Sequence, residues 1–246
     1  MKKFIIVLLS LLTVACGGGG GGSNKESNPT PTPTPPAAKM PSGLWEGEVT
    51  YTGERPIAAL GIISSTGEAR FILETGEQDK YQISLNDENY TADGTAFDVF
   101  GNFYGEGYIQ GGHSDSEIQG KAYFDNVNTS SFEFFKSESS NDVTTLSDLS
   151  GNFTTLDYNS SIAIDSEGFI SGSDANGCQY NGEITHPDNT LNVYVINFTI
   201  SSCGNRYDGK FNGLATYVQI DYDVPQKGLI YQADNGYFSF TNIMIK

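Results

Sequence analysis

The stretch Trp45-Glu46-Gly47-Glu48-Val49-Thr50-Tyr51 places apolar or small side chains at odd positions and mostly charged ones at even positions. A second stretch, Tyr194-Val195-Ile196-Asn197-Phe198-Thr199-Ile200, has its apolar face at even positions. A period of two is typical of a strand with one buried face in an antiparallel sheet. Because no window after Ser42 carries apolar residues at helical spacing over helical length, the sequence predicts an all-β, antiparallel fold.

Short alternating runs recur between clusters of Gly, Asn, Asp and Ser, and they form two sets of about eight predicted strands. The first set begins near Leu44, Ile57, Ala69, Lys80, Ala96, Phe103, Ile118 and Ser131. The second set begins near Asn152, Ser161, Phe169, Gln179, Asn192, Lys210, Gly228 and Tyr237.

The two sets form a weak tandem repeat of roughly 100 residues. They open on Ser42-Gly43-Leu44-Trp45 and Ser150-Gly151-Asn152-Phe153, and they close on Phe132-Glu133-Phe134 and Phe238-Ser239-Phe240. Eight antiparallel strands close a barrel that side chains just fill or that holds one small ligand. We therefore predict two tandem, small, eight-stranded up-and-down β-barrels, over residues 42–137 and 148–246. One larger β-sandwich or barrel is the alternative.

The chain begins with Lys2 and Lys3, followed by an apolar run from Phe4 to Ala15 that is too short to span a bilayer. This pattern is typical of a signal peptide. The run ends in Leu12-Thr13-Val14-Ala15-Cys16, which resembles the lipobox of bacterial lipoproteins. The resemblance implies that residues 1–15 are cleaved and that Cys16 carries the lipid anchor. An ordinary secretory signal is the alternative.

The residue after the lipidated cysteine directs sorting in proteobacterial lipoproteins, where Asp retains the protein at the inner membrane. Gly17 stands there, which implies a lipid-anchored protein of the outer membrane, with the surface or periplasmic face left open. Residues 16–41 then form a predicted tether, with a run of glycines up to Gly22 and alternating Pro and Thr from Pro29 to Pro36.

The chain carries 30 acidic and 13 basic residues, a net charge of −17. Residues 42–246 hold 29 of the acidic and 9 of the basic residues, so their net charge is −20. Nucleic-acid binding needs clustered Lys and Arg, so this balance excludes nucleic acid as a partner. It suits cationic partners or divalent ions instead.

Cys178 and Cys203 are the two cysteines that remain beside Cys16. An exported compartment is oxidising, and the pair lacks the CxxC spacing of redox or metal sites. We predict a structural disulfide between them.

Enzyme motifs are absent from the sequence: it has no nucleophile elbow, HExxH, Walker loop or dinucleotide fingerprint. His113 and His186 lie beside turn residues and are predicted to be exposed loop histidines. Two carboxylate pairs, Glu46 with Glu48 and Asp221 with Asp223, are predicted to be solvated strand faces. The sequence thus predicts no catalytic residues, no metal and no cofactor.

Aromatic residues are the most suggestive feature, with 14 Tyr and 15 Phe. Tyr104 and Tyr108 flank Glu106 at spacing two, so the three side chains share one face of a strand. If that face points outward, they form a candidate ligand-binding surface. If the barrel phase is reversed, they are core.

We therefore predict a non-catalytic outer-membrane lipoprotein whose acidic barrels bind a protein, a glycan or a small molecule. In layout, the chain resembles Gram-negative surface lipoproteins of the transferrin-binding and factor H-binding types, which combine a lipobox, a glycine run and small barrels. A periplasm-facing accessory or inhibitor protein is the alternative. A hydrolase that uses Glu46 and Glu48 is a third hypothesis.

Overall fold

The computed structural model describes residues 39–246, except residue 126, residues 205–206 and residues 221–224. The predicted signal peptide, Cys16 and nearly all of the predicted tether lie outside this part of the chain, as does the carboxylate pair Asp221 and Asp223. These remain predictions.

The first half of the described chain forms a closed barrel of eight antiparallel strands. Each strand pairs with the next, and β1 closes the barrel by pairing with β8 from Trp45↔Lys136 to Tyr51↔Ser130. The strands are β1 (Gly43–Tyr51), β2 (Ile57–Ile63), β3 (Glu68–Leu73), β4 (Gln78–Asn86), β5 (Asn89–Phe97), β6 (Phe103–His113), β7 (Glu117–Phe124) and β8 (Val127–Lys136).

The second half forms another closed eight-stranded barrel, so the prediction of two tandem barrels is confirmed. Here β9 pairs with both β10 and β16, although its ladder with β16 has only the pairs Met244↔Thr155 and Ile245↔Thr154. The strands are β9 (Gly151–Thr155), β10 (Ser160–Ile164), β11 (Phe169–Asp174), β12 (Gln179–Thr185), β13 (Tyr194–Ser201), β14 (Gly209–Ile220), β15 (Gln226–Asp234) and β16 (Ser239–Ile245).

Two predicted strand starts in the first barrel are wrong. The fifth strand was expected near Ala96, but β5 begins at Asn89 and Ala96 lies near its end. Its inward face is built mainly from small residues such as Ala92 and Gly94, so it lacks a strong apolar period. The eighth strand begins at Val127 rather than near Ser131, after a β-bulge at Ala122/Tyr123 shifts its register.

The inner faces of the strands build two separate cores, as the alternating pattern predicts. Trp45 and Val49 of β1 are buried in the first barrel, whereas Glu46 and Glu48 are not. In β13, the even-numbered residues from Tyr194 to Ile200 are buried in the second barrel. Burial of these faces supplies most of the stabilisation, at about 25 cal/mol per Å² of apolar surface.

Each barrel is covered at one end by the segment that precedes its first strand. Met40 packs against the first core, and the indole Nε1 of Trp45 donates a hydrogen bond to the Pro41 carbonyl oxygen at 3.0 Å. In the second barrel, the short helix α1 (Leu146–Leu149) packs both of its leucines against the core. The covered end of each barrel is therefore the one where its first strand begins.

The two barrels belong to one compact unit and pack side by side. Near the covered ends, Leu44 and Ile62 of the first barrel meet Leu191, Val193 and Leu214 of the second in a third apolar cluster. At the opposite ends, the Ser239 hydroxyl donates to the Gln78 side-chain oxygen at 2.8 Å. Since covered end meets covered end, the uncovered ends of both barrels lie on the same side of the molecule.

Candidate functional site

The shared open end is the candidate functional site. The turn at residues 98–102 of the first barrel meets the turn at residues 235–238 of the second, where Asn102 and Phe238 form an antiparallel β-bridge. The backbone amide of Gly101 donates to Asp98, and Gly101 has φ +78°. A Cβ atom on Gly101 would lie 1.9 Å from the Ser239 carbonyl oxygen, so the close approach of the two turns requires glycine.

The mouth of the second barrel holds a cavity of about 450 Å³. This lies within the usual range for small-molecule sites, roughly 300–1,000 Å³. Aromatic rings form much of its wall, and amide and carboxylate groups are set among them. The lining residues are Asp174, Asn176, Cys178, Tyr180, Ile200, Cys203, Tyr207, Phe238, Phe240 and Asn242.

The polar groups of this mouth are held in fixed orientations. The Asp174 carboxylate accepts hydrogen bonds from the backbone amides of Asn176 and Cys178, at 2.8 and 3.0 Å, and from the Tyr180 hydroxyl at 3.2 Å. Burial raises the pKa of Tyr180, which therefore stays a neutral donor. The Asn242 amide nitrogen donates to the Tyr231 hydroxyl at 3.0 Å, which leaves its carbonyl oxygen as an acceptor.

The predicted disulfide between Cys178 and Cys203 is confirmed, with Cα atoms 4.4 Å apart. It joins the turn before β12 to the turn after β13 and forms part of the cavity wall. Asp174 lies close to both sulfur atoms. Metal ligation needs thiolates, and the disulfide consumes both, so this cluster stabilises the mouth rather than binding a metal.

The cavity in the mouth of the first barrel is smaller, and the carboxyl group among its lining residues is that of Asp79, on the inward face of β4. The neighbours of Asp79 are the tyrosines Tyr51 and Tyr81 and the buried Ser130. Glu77 and Glu54 lie near Tyr51 at the same mouth. Desolvation, with a smaller effect from the nearby carboxylate of Glu77, raises the pKa of Asp79 to about 7. Burial and the charge of Asp79 in turn raise the pKa of Tyr51 and Tyr81.

Exposed aromatic side chains are concentrated where the two mouths adjoin. Phe100 is 76% exposed and Tyr237 is 84% exposed, and the backbone amide of Phe103 donates to the Tyr237 carbonyl oxygen at 3.0 Å. We call Val99, Phe100, Phe103, Tyr104 and Tyr237 the rim patch. Clustered exposed apolar surface is typical of interaction sites.

The predicted ligand-binding residues of β6 lie on the outer wall of the first barrel. Tyr104 is 69% exposed, and Glu106 is also exposed. The partly buried Tyr108 ring stacks on Tyr123 with centroids 4.7 Å apart. The face of β6 that carries these three residues therefore points outward from the barrel. Of the three residues, Tyr104 belongs to the rim patch, while Glu106 and Tyr108 lie further along the wall.

The carboxylates Glu46 and Glu48 lie on the outer face of β1, away from both mouths. Glu48 stands directly opposite Glu133 of β8, and the Ser137 hydroxyl donates to Glu46 at 2.6 Å. Like charges in that position repel, and solvent around an exposed face weakens the repulsion.

The histidines differ from their prediction as exposed loop residues, since both are partly buried. The His113 ring nitrogen Nε2 lies 3.2 Å from the Asp87 carbonyl oxygen in the first barrel. His186 Nε2 lies 2.7 Å from the Leu191 carbonyl oxygen in the second. Each imidazole is thus engaged with the backbone of its own barrel, and the fold does not assemble the two into one site.

Apart from the two cysteines, no residue that lines either cavity was predicted to have a role of its own, although Phe238 and Phe240 belong to a motif that marks the end of the second repeat. Asp79 could have been recognised from the sequence. It lies two residues before Tyr81 and four before Ile83, so strand periodicity places its carboxyl group on the inward face of β4. Asp174 and Asn242 could not have been recognised in this way, since turn and strand-end polar residues are common throughout the chain.

No family model, no curated protein and no solved structure matches this chain. Among the residues that the structure describes, no helix combines the length and the apolar character needed to cross a membrane.

Proposed function

We propose that this protein is a non-catalytic binding protein of the bacterial envelope, anchored in the outer membrane through lipidated Cys16, with its ligand site at the shared open end. The anchor is supported by the lipobox-like sequence alone. The binding role is supported by the shape and chemistry of the open end.

The observation that carries the proposal is the cavity of about 450 Å³ in the mouth of the second barrel. Its aromatic wall favours a ligand with an apolar or ring-shaped face. Asn176, Asn242 and Asp174 add a few oriented polar groups. A neutral, ring-bearing small molecule such as a sugar fits this combination, because aromatic faces contact the ring while amides meet its hydroxyl groups.

The non-catalytic character is supported by the placement of the candidate catalytic groups. Within the described residues, His113 and His186 are held by backbone carbonyl oxygens in different barrels. Glu46 and Glu48 are exposed to solvent in an open depression on the outer wall of the first barrel, away from the cavity of the second. A histidine that activates a nucleophile needs that group within hydrogen-bond reach, and among the described residues neither imidazole has a hydrogen bond to a Ser, Cys, Asp or Glu side chain.

The cavity is tested by screening neutral sugars and small amphipathic molecules against the mature chain with ligand-observed NMR. The variant Asn176→Trp places an indole at the mouth from an exposed position and is expected to weaken binding of any hit at least tenfold. Ser166→Trp, in an exposed turn at the covered end of the same barrel, is the matched control. Equal affinity of both variants would place the ligand elsewhere.

The anchor is tested by growing cells with an alkyne-labelled fatty acid. The wild-type chain is expected to acquire the label and Cys16→Ser to lack it. Protease treatment of intact cells then distinguishes the two faces of the membrane: loss of the protein indicates surface display, and protection indicates the periplasmic side.

A further inference from the structure

The lumen of the first barrel contains a second, smaller cavity of about 30 Å³. Five aromatic side chains surround it together with one carboxyl group. These residues are Tyr51, Phe71, Tyr81, Phe132, Phe134 and Asp79. Four of the rings form a chain of neighbours, in which the Phe71 centroid lies 6.0 Å from that of Tyr81 and 5.0 Å from that of Phe134, and Phe134 lies 6.0 Å from Phe132.

Asp79 is the one charged side chain among the residues lining this cavity. The neighbouring Lys80 faces the other way, and its Nζ atom lies 3.2 Å from the Asp234 carboxylate of the second barrel. Within the described part of the chain, no Lys, Arg or His forms an ion pair with Asp79. A carboxylate in apolar surroundings without a counter-ion is costly.

The surroundings of Asp79 show what kind of counter-ion would offset this cost. Aromatic faces attract cations through their quadrupole, and a carboxylate adds a full negative charge. Metal cations such as Ca²⁺ prefer six or more oxygen ligands. Besides the Asp79 carboxylate, the lining side chains offer only the hydroxyl oxygens of Tyr51, Tyr81 and Ser130, which is too few. Rings around a single carboxylate favour an organic ammonium ion instead.

The size of the cavity limits the group that enters. A cavity must have a volume of roughly 10–15 Å³ to hold one water molecule. A cavity of about 30 Å³ therefore admits two or three non-hydrogen atoms. A primary or singly methylated ammonium group fits, and the remainder of such a ligand would extend through the mouth past Tyr51, which is partly exposed.

We propose that the first barrel is a binding site for a small organic ammonium head group, with Asp79 as its counter-ion and the rings of Tyr51, Phe71, Tyr81, Phe132 and Phe134 as its cage. This site is separate from the cavity of the second barrel and does not depend on the function proposed for it. The net charge of −20 over residues 42–246 favours the approach of cations to the protein.

The test is an NMR titration of the full mature chain with methylammonium chloride, using sodium chloride at equal ionic strength and methanol as the neutral analogue. Saturable shifts are expected with methylammonium alone. Asp79→Asn is expected to weaken this binding at least tenfold. Asp93→Asn, which changes an exposed carboxylate on the outer face of β5, is the matched control and is expected to bind as the wild type does.

A second measurement needs no variant. Because the carboxyl of Asp79 ionises near pH 7, methylammonium affinity of the wild-type chain is expected to rise about tenfold from pH 6 to pH 8. The proposal is overturned if sodium and methylammonium ions give the same shifts, if methanol binds equally well, if Asp79→Asn binds as tightly as the wild type, or if affinity does not change with pH. Asn176→Trp is expected to leave this binding unchanged, which separates the two sites.

Discussion

Arg70 of the first barrel forms an ion pair with Asp234 of the second, and both side chains are almost completely inaccessible to solvent. The Arg70 guanidinium also donates to Glu68 and, at 3.0 Å, to the Asn212 carbonyl oxygen. Lys80 contributes a second cation to Asp234 from the solvent side. This cluster joins the two barrels beneath the shared open end.

Replacing Arg70 is expected to destabilise the protein, because it leaves the buried Asp234 carboxylate with the partly exposed Lys80 as its cation and the Gly236 backbone amide as a neutral donor. Breaking a buried pair in this way costs about 3–5 kcal/mol, and Arg70→Met is expected near the lower figure. Urea unfolding measures the loss. The double variant Arg70→Met, Asp234→Asn is expected to recover much of it, since no unpaired buried charge remains.

Lys121→Met, on an exposed position of β7, is the control for loss of a positive charge and is expected to change the unfolding free energy by less than about 0.5 kcal/mol. If Arg70→Met were no more damaging than this control, the buried pair would not stabilise the contact between the barrels.

Substitution of Gly101 is expected to separate the two turns at the shared open end. Gly101→Ala adds a Cβ atom 1.9 Å from the Ser239 carbonyl oxygen, at a backbone φ of +78°. Gly53→Ala is a matched control, because Gly53 has φ +84° and open space around its Cβ position. The control carries only the conformational cost of about 1–2 kcal/mol.

Gly101→Ala is therefore expected to lower the unfolding free energy further than Gly53→Ala does. It should also increase hydrogen exchange at the amides of Phe103 and Ser239, which donate across the contact. Equal effects of the two substitutions would show that the close approach is not maintained in solution.

Removal of the disulfide is expected to weaken the second barrel. A loop of 25 residues gives an upper estimate of about 3.5 kcal/mol for the chain-entropy effect. The variant Cys178→Ser, Cys203→Ser should unfold at lower urea concentration, and a reducing agent should lower the midpoint of the wild type by the same amount. A midpoint that reductant leaves unchanged would argue against the bond as a stabilising element.

The stability of the ligand-free protein is expected to fall as pH rises through the range set by Asp79. Its pKa is raised from 3.8 in the unfolded chain to about 7 in the folded one. Between these two pH values the folded state binds more protons than the unfolded state. The contribution of Asp79 to the free energy of unfolding therefore decreases as pH rises to about 7 and is constant at higher pH.

Asp79→Asn is expected to remove this decrease, so its stability relative to the wild type should be greater at pH 8 than at pH 5. Asp93→Asn is again the control, and its difference from the wild type should not follow the same pH course. Parallel pH profiles for wild type and Asp79→Asn would contradict the assignment.

The hairpin turns are examples of structure that local sequence is sufficient to predict. Asp98 and Asp165 each begin an Asp-x-x-Gly turn in which the carboxylate accepts from the amides two and four residues later. Gly101 and Gly168 supply the positive φ that closes these turns. These turns depend only on residues close together in the chain, so they can be predicted from the sequence without knowledge of the fold.

The buried and exposed faces of the strands could also be predicted from local sequence. Alternation in Trp45–Tyr51 and in residues 194–200 predicted which side chains enter the two cores, and the number of strands predicted two closed barrels. Where the inward residues are small, as in β5, the pattern weakened and the strand boundary was wrong.

The sequence by itself determined the all-β fold class from strand periodicity, and it favoured two barrels and a disulfide from the number of strands and of cysteines. Only the tertiary structure decided that Arg70 is buried, that both mouths open on one side and that Tyr104 lies on the outer wall next to Phe124. The physical reason is that alternation defines two faces of a strand, whereas the exposure of an outward face depends on which distant part of the chain packs against it.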